Sequence, residues 1–99
     1  MFELRTNLED ETIKLMLVGA LDMNGVDIFE DEMSKIEFQN VRKVYIDFTG
    51  VDFIDSTGIG SIVNSLHLFG RQGVDYELLH VSDEIQEVFA IIGLEDILS

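Results

Sequence analysis

Residues 51–61, Val-Asp-Phe-Ile-Asp-Ser-Thr-Gly-Ile-Gly-Ser, interrupt an apolar run with an acid, two hydroxyls and a pair of glycines. Three kinds of chemistry suit such a group. Asp55 or Ser56 can cap a helix by accepting a hydrogen bond from a free N–H of its first turn. Ser56 can serve as a nucleophile if a base stands beside it. Alternatively, its hydroxyl can be displayed for another protein to bind and modify.

The nucleophile reading lacks partners. Ile54 stands two residues before Ser56, so there is no GxSxG elbow. His67 is eleven residues further along the helix that follows, about 16 Å at 1.5 Å per residue. That leaves His80, at the end of a strand expected to lie parallel to residues 41–48, as the candidate base. A phosphate cradle is no better supported. Gly58-Ile59-Gly60 does not continue to GxGxxG, because residue 63 is Val63, and no GxxxxGK[ST] occurs. Beyond Lys43 the only base is Arg71. Asp47, Asp52 and Asp55 could gather as ligands for Mg²⁺. A phospho-receiver site of that kind also wants a lysine, and none follows position 43. We therefore expect no catalytic residue, no cofactor and no metal site.

The display reading fits more of the stretch. Gly58 and Gly60 have no side chain to keep a partner's backbone away from Ser56. A phosphoryl group on Ser56 would add about −1.5 to −2 charges. The helix dipole favours that charge by roughly 0.3–1 kcal/mol, and Asp55 opposes it at similar range. Within the domain these terms nearly cancel. At an interface, a buried dianion without a matching cation costs several kcal/mol, enough to end binding.

Composition narrows the rest. Ninety-nine residues form one domain, residues 1–99, without a linker, a proline or a low-complexity tract. The 46% apolar content argues for a packed core. The chain has no cysteine, which excludes disulfides and thiolate metal sites. Twenty acids against 6 bases give a formal charge of −14, which repels nucleic acid and anionic membranes. No stretch is long and apolar enough to span a bilayer, and the N-terminus does not read as a signal peptide. The expected location is the cytoplasm.

Periodicity supplies the elements that must position Ser56. Residues 2–7 alternate, and residues 12–18 place Ile13, Leu15 and Leu17 on one side, which predicts a hairpin. Asn24 is the expected cap of a first helix with Val26, Phe29, Met33 and Ile36 facing inward and an Asp31–Lys35 pair outside. Residues 41–48 are the most β-rich and read as a central strand. After the corner, Ile59, Ile62, Val63, Leu66 and Phe69 form one stripe, closed by Gly70 and Gly73 in left-handed conformations. A strand at 74–79 follows, then a helix capped by Ser82, with Ile85, Val88, Phe89 and Ile92 inward and Gly93 as its stop. Leu94, Ile97 and Leu98 are expected to pack as a final turn. The order is ββαβαβα: an α/β domain with a small mixed, mostly parallel four-stranded sheet and its helices mainly on one face.

The central stretch Asp47-Phe48-Thr49-Gly50-Val51-Asp52-Phe53-Ile54-Asp55-Ser56-Thr57-Gly58-Ile59-Gly60 resembles the signature of anti-sigma factor antagonists, the STAS domains, loosely D-[LF]-S-x-V-x-x-[IM]-D-S-[ST]-G-[LI]-G. Gly19-Ala20-Leu21-Asp22 resembles the family's earlier G-x-[LI]-D, and Phe89-Ala90-Ile91-Ile92-Gly93-Leu94 its closing helix. Thr49 departs from the usual serine but keeps a hydroxyl. The resemblance implies a cytoplasmic bacterial switch that is not itself an enzyme. In that family the unphosphorylated antagonist binds an anti-sigma factor with serine-kinase activity and releases the sigma factor. Phosphorylation ends the binding and a phosphoserine phosphatase restores it. Carried over, Ser56 is the phosphoacceptor, and Asp22, Asp55, Ser56, Thr57 and Gly58, with Gly60 added by its small size, form the partner surface. Some STAS domains instead act as scaffold or accessory subunits of sensory complexes, transporters or lipid-transfer systems without using the serine.

Overall fold

The structure, a computed structural model, describes residues 1–91. The expected order is observed: β1 (Phe2–Glu9), β2 (Thr12–Leu21), α1 (Met23–Ser34), β3 (Lys43–Ile54), α2 (Ser56–Arg71), β4 (Asp75–Leu79) and α3 (Asp83–Ile91). The four strands form one sheet in the order β1-β2-β3-β4. β1 and β2 make the antiparallel hairpin, turning at Asp10, whose φ of 56° is left-handed. β2–β3 and β3–β4 are parallel, so α1 and α2 are the crossovers that parallel pairing requires.

Alternation along the strands decides which face is covered. On β2, Ile13, Leu15 and Leu17 are buried and the residues between them are half-buried. On β3, Val44, Ile46 and Phe48 continue the same layer. Phe29 of α1, Ile59, Ile62, Leu66 and Phe69 of α2, and Ile85 and Phe89 of α3 pack against it, so the helices gather on one face.

Several boundaries moved from their expected places. The central strand runs on to Ile54, so the apolar run before the corner is its C-terminal end. α1 begins two residues earlier than the Asn24 cap implied. Asp22 is the cap and Asn24 an exposed residue of the first turn. Ile36 lies beyond the helix but still packs on the core. Gly70 remains within α2. The left-handed residue is Gly73 alone, at φ 72°, in a terminal motif in which Val74 N–H bonds Phe69 O at 2.9 Å and Gly73 N–H bonds Gly70 O at 3.2 Å. Ser82 caps α3 as expected, accepting from Ile85 N–H at 3.2 Å. Ile92, the Gly93 stop and the turn of Leu94, Ile97 and Leu98 lie outside the described residues.

Two register shifts, at Met16–Val18 and at Gly19–Ala20 of β2, each set one extra residue of β3 against β2 and bring Leu21 opposite Ile54. Bulges of this kind re-aim a strand end. Here they make the ends of β2 and β3 finish side by side.

Candidate functional site

β3 delivers the chain to the carboxyl edge of the sheet, where helix starts present free N–H groups. Asp55 leaves β3 with extended angles, φ −114° and ψ −173°, and caps α2. Its Oδ1 accepts from Gly58 N–H at 3.0 Å and from the Thr57 hydroxyl at 2.6 Å. The Thr57 hydroxyl, then the Gly58 N–H, hold the Asp55 carboxyl below the usual carboxylate range.

Ser56 is therefore not the cap. It is the first residue of α2, exposed, and its hydroxyl makes no hydrogen bond among the described residues. The reason is geometric. The cap must have non-helical angles while its side chain reaches the N–H two or three residues on. Asp55 meets that requirement, which frees the hydroxyl of Ser56. Of two adjacent hydroxyls, Thr57 is held by Asp55 and Ser56 is uncommitted.

Gly58 serves the fold before any partner. It is buried, and a Cβ there would come within 2.2 Å of the Leu21 carbonyl oxygen. The close approach that requires glycine is that of the chain's own β2. Gly60, by contrast, is exposed, with open space where a Cβ would stand. Leu21 O also accepts from Asp55 N–H at 3.4 Å, which ties the corner to the neighbouring strand. Asp22 stands just beyond Leu21, half-buried, with its Oδ1 accepting from Gly25 N–H at 2.9 Å. Pairing of Leu21 with Ile54 thus brings Asp22 and Asp55 together at one edge.

The other candidates are separated from this edge or already engaged. Asp47 is 8% exposed in the middle of β3 rather than solvated. Thr49 donates to it through its hydroxyl at 2.6 Å and its N–H at 2.9 Å, and Lys14 Nζ lies 3.4 Å away. Burial alone would raise the Asp47 pKa, but the Thr49 donors and the Lys14 ammonium outweigh it and hold the carboxyl below the usual range. The Thr49 hydroxyl thus has a structural task that serine could also perform. Asp52 is exposed near the end of β3. Among the described residues no three His, Asp or Glu side chains gather as a metal site.

His80 does not reach Ser56. It follows Leu79, which pairs with Asp47, so it lies level with Phe48. Roughly 20 Å of extended strand separates that level from the end of β3 at Ile54. The residue is exposed, with a left-handed φ of 57° that reverses the chain after β4.

Three residues of the edge escaped the sequence reading. Gly25 is buried, and a Cβ there would meet the Ala20 carbonyl oxygen at 2.2 Å. Met23 is 69% exposed at the start of α1, and Phe53 is 53% exposed at the end of β3. The signal for Gly25 was present, because Asp22-x-x-Gly25 repeats the spacing of Asp55-x-x-Gly58.

Fold and edge together define a small α/β module that displays a hydroxyl beside paired helix caps, with no base within hydrogen-bonding reach of it among the described residues. The STAS domain family matches residues 3–99, and the chain belongs to that family. It is 28% identical over 95 residues to an anti-sigma-B factor antagonist of Staphylococcus aureus (strain NCTC 8325 / PS 47), an alignment covering 96% of this chain and 88% of that protein. It also resembles the anti-sigma factor antagonist SpoIIAA in its unphosphorylated form, with a TM-score of 0.79, 26% identity, and coverage of 100% of this chain and 86% of that one. The phosphorylated form of the Bacillus protein SpoIIAA gives a TM-score of 0.75 at 26% identity, covering 100% and 89%. No helix of the described residues is long and apolar enough to cross a membrane.

Proposed function

We propose that this chain is a cytoplasmic anti-sigma factor antagonist switched at Ser56. In its unphosphorylated form it binds an anti-sigma factor with serine-kinase activity and so releases a sigma factor. Transfer of phosphate to Ser56 ends the binding, and a phosphoserine phosphatase restores it. The antagonist is a substrate and ligand in this cycle, and the kinase brings ATP and the catalytic groups.

The observation that carries the reading is the uncommitted Ser56 hydroxyl at the first position of α2, on a corner held rigid by Asp55 and Gly58. Both relatives named above support it, one as an antagonist and the other in a phosphorylated form. Asp22, Asp55, Thr57 and Gly58 shape the docking edge, and Ser56 and Gly60 are its exposed centre. Phosphate at this position stays near the positive end of α2, so the fold tolerates it. Asp22, Asp52 and Asp55 at the same edge add like charge rather than neutralise it. The cost therefore falls on the complex, where a dianion buried at the interface loses its water and that desolvation can exceed the Coulombic gain even beside a cation.

Incubation with the cognate anti-sigma kinase and ATP, followed by intact-mass and peptide analysis, tests this directly. One phosphate should appear on Ser56 and none on Thr57. Ser56→Ala should keep its affinity for the kinase and accept no phosphate, and Ser56→Asp should bind weakly. Unchanged affinity of Ser56→Asp, with no phosphate on Ser56, would instead make the chain a constitutive scaffold or accessory module.

A further inference from the structure

The corner that carries Ser56 has a twin. Leu21-Asp22-Met23-Asn24-Gly25-Val26 repeats the pattern of Ile54-Asp55-Ser56-Thr57-Gly58-Ile59. The two caps share extended angles, φ −98° and ψ −167° at Asp22 against φ −114° and ψ −173° at Asp55. Each aspartate accepts from the glycine three residues on, at 2.9 and 3.0 Å. Each glycine would place a Cβ 2.2 Å from a carbonyl oxygen of β2. Because Leu21 pairs with Ile54, the twin helices start side by side. Met23 holds in the first corner the position that Ser56 holds in the second.

Met23 is 69% exposed and Phe53, just before the second corner, is 53% exposed. Single exposed apolar residues are ordinary, but these two stand at the paired corners from which α1 and α2 start. A specific protein interface covers roughly 800 Å² on each partner. Leu21 and Ile54, two residues before Met23 and Ser56, lie on neighbouring strands about 4.8 Å apart, so an interface of that size centred on Ser56 extends to Met23.

We propose that Met23 is the apolar anchor on which the Ser56 kinase docks, seated in an apolar pocket with a basic rim. This inference rests on the reading of Ser56 as a phosphoacceptor. The basic rim follows from charge. Asp22 and Asp55 cap the two paired corners, and Asp52, Asp83 and Glu84 line a cleft of about 480 Å³ at the end of β3. Arg71 is at the opposite end of α2. A second copy of this chain is a poor occupant, since a two-fold contact would set these acids against their own images. An unbranched, polarizable methionine adapts to a pocket of any outline while its acidic neighbours select the rim.

Calorimetric titration of the full chain into the anti-sigma kinase of the same organism tests the anchor, with circular dichroism to check the fold of each variant. Met23→Ala should weaken binding at least tenfold, about what burial of one such side chain contributes, and Met23→Leu should stay within about threefold. In phosphorylation assays Met23→Ala should raise KM and leave kcat in place, because the reacting groups are untouched. Wild-type affinity for Met23→Ala would overturn the proposal, as would a solution dimer that Met23→Ala dissolves. If the wild-type chain binds but takes no phosphate, the switch fails while the anchor is still read from affinity. Absence of binding by the wild-type chain sinks both.

Discussion

Ser56 and Thr57 are adjacent hydroxyls of similar chemistry, yet the fold gives them different tasks. Thr57 donates to the cap, and Ser56 is left to solvent. The two glycines beside them differ in the same way. Gly58→Ala should destabilise the domain by about 1–3 kcal/mol or more, since the added methyl must displace the backbone of Leu21. Gly60→Ala should stabilise α2 by about 0.5–1 kcal/mol, because its Cβ meets open space. Chemical denaturation of the two variants checks the pair, and reduced kinase binding by the more stable Gly60→Ala would mark close approach of a partner there. Acid sensitivity also belongs to single residues. Asp47 and Asp55 both hold their protons less tightly in the folded chain than at their ordinary value of 3.8. Their contribution to stability is complete above that value and is lost as pH falls through the depressed folded values. Thermal melts between about pH 5 and pH 2 should show this loss, and Asp47→Asn should flatten the acid limb.

At the scale of elements, the edge depends on two strand-to-helix corners locked to one strand. β2 supplies the carbonyl oxygens of Ala20 and Leu21 against which both buried glycines pack. The bulges of β3 opposite it set the register that pairs Leu21 with Ile54. Loss of one cap should therefore affect its own helix without dissolving the other. Asp22→Ala should cost about 1 kcal/mol, as for other helix caps. Hydrogen exchange should rise in the first turn of α1 and remain low in the first turn of α2. Equal loss of protection in both helices would mean the corners act as one unit.

At the scale of the molecule, charge is unevenly distributed. Arg5, Lys14 and Lys43 lie on the strands and are each paired with an acid, while the carboxyl edge around Ser56 carries acids only. Association with a basic partner should be steered at long range. Raising salt from about 0.05 to 0.5 M should slow the on-rate by roughly tenfold and leave the dissociation rate nearly unchanged. Stopped-flow measurements would check this, and a salt-independent on-rate would show that the acidic edge plays no part in encounter.

Element order and type were legible in the amino-acid pattern because period 2 and period 3.6 depend on neighbours in sequence. Ile13, Leu15 and Leu17 marked a strand, Ile59, Ile62, Leu66 and Phe69 a helix, and Asp55-Ser56-Thr57-Gly58 the handover between strand and helix. The family followed from the same residues. Which side chain caps that helix was not legible, because aspartate and serine both accept from an N–H and only backbone angles choose between them. Nor was the task of Gly58, whose requirement comes from a carbonyl on another strand. The burial of Asp47 against Lys14 and the meeting of Asp22 with Asp55 are likewise products of strand register. The sequence by itself determined that a hydroxyl stands at a strand-to-helix corner of an acidic α/β domain. Only the tertiary structure left that hydroxyl uncommitted and set Met23 beside it, because capping angles and register arise from contacts between residues far apart in the chain.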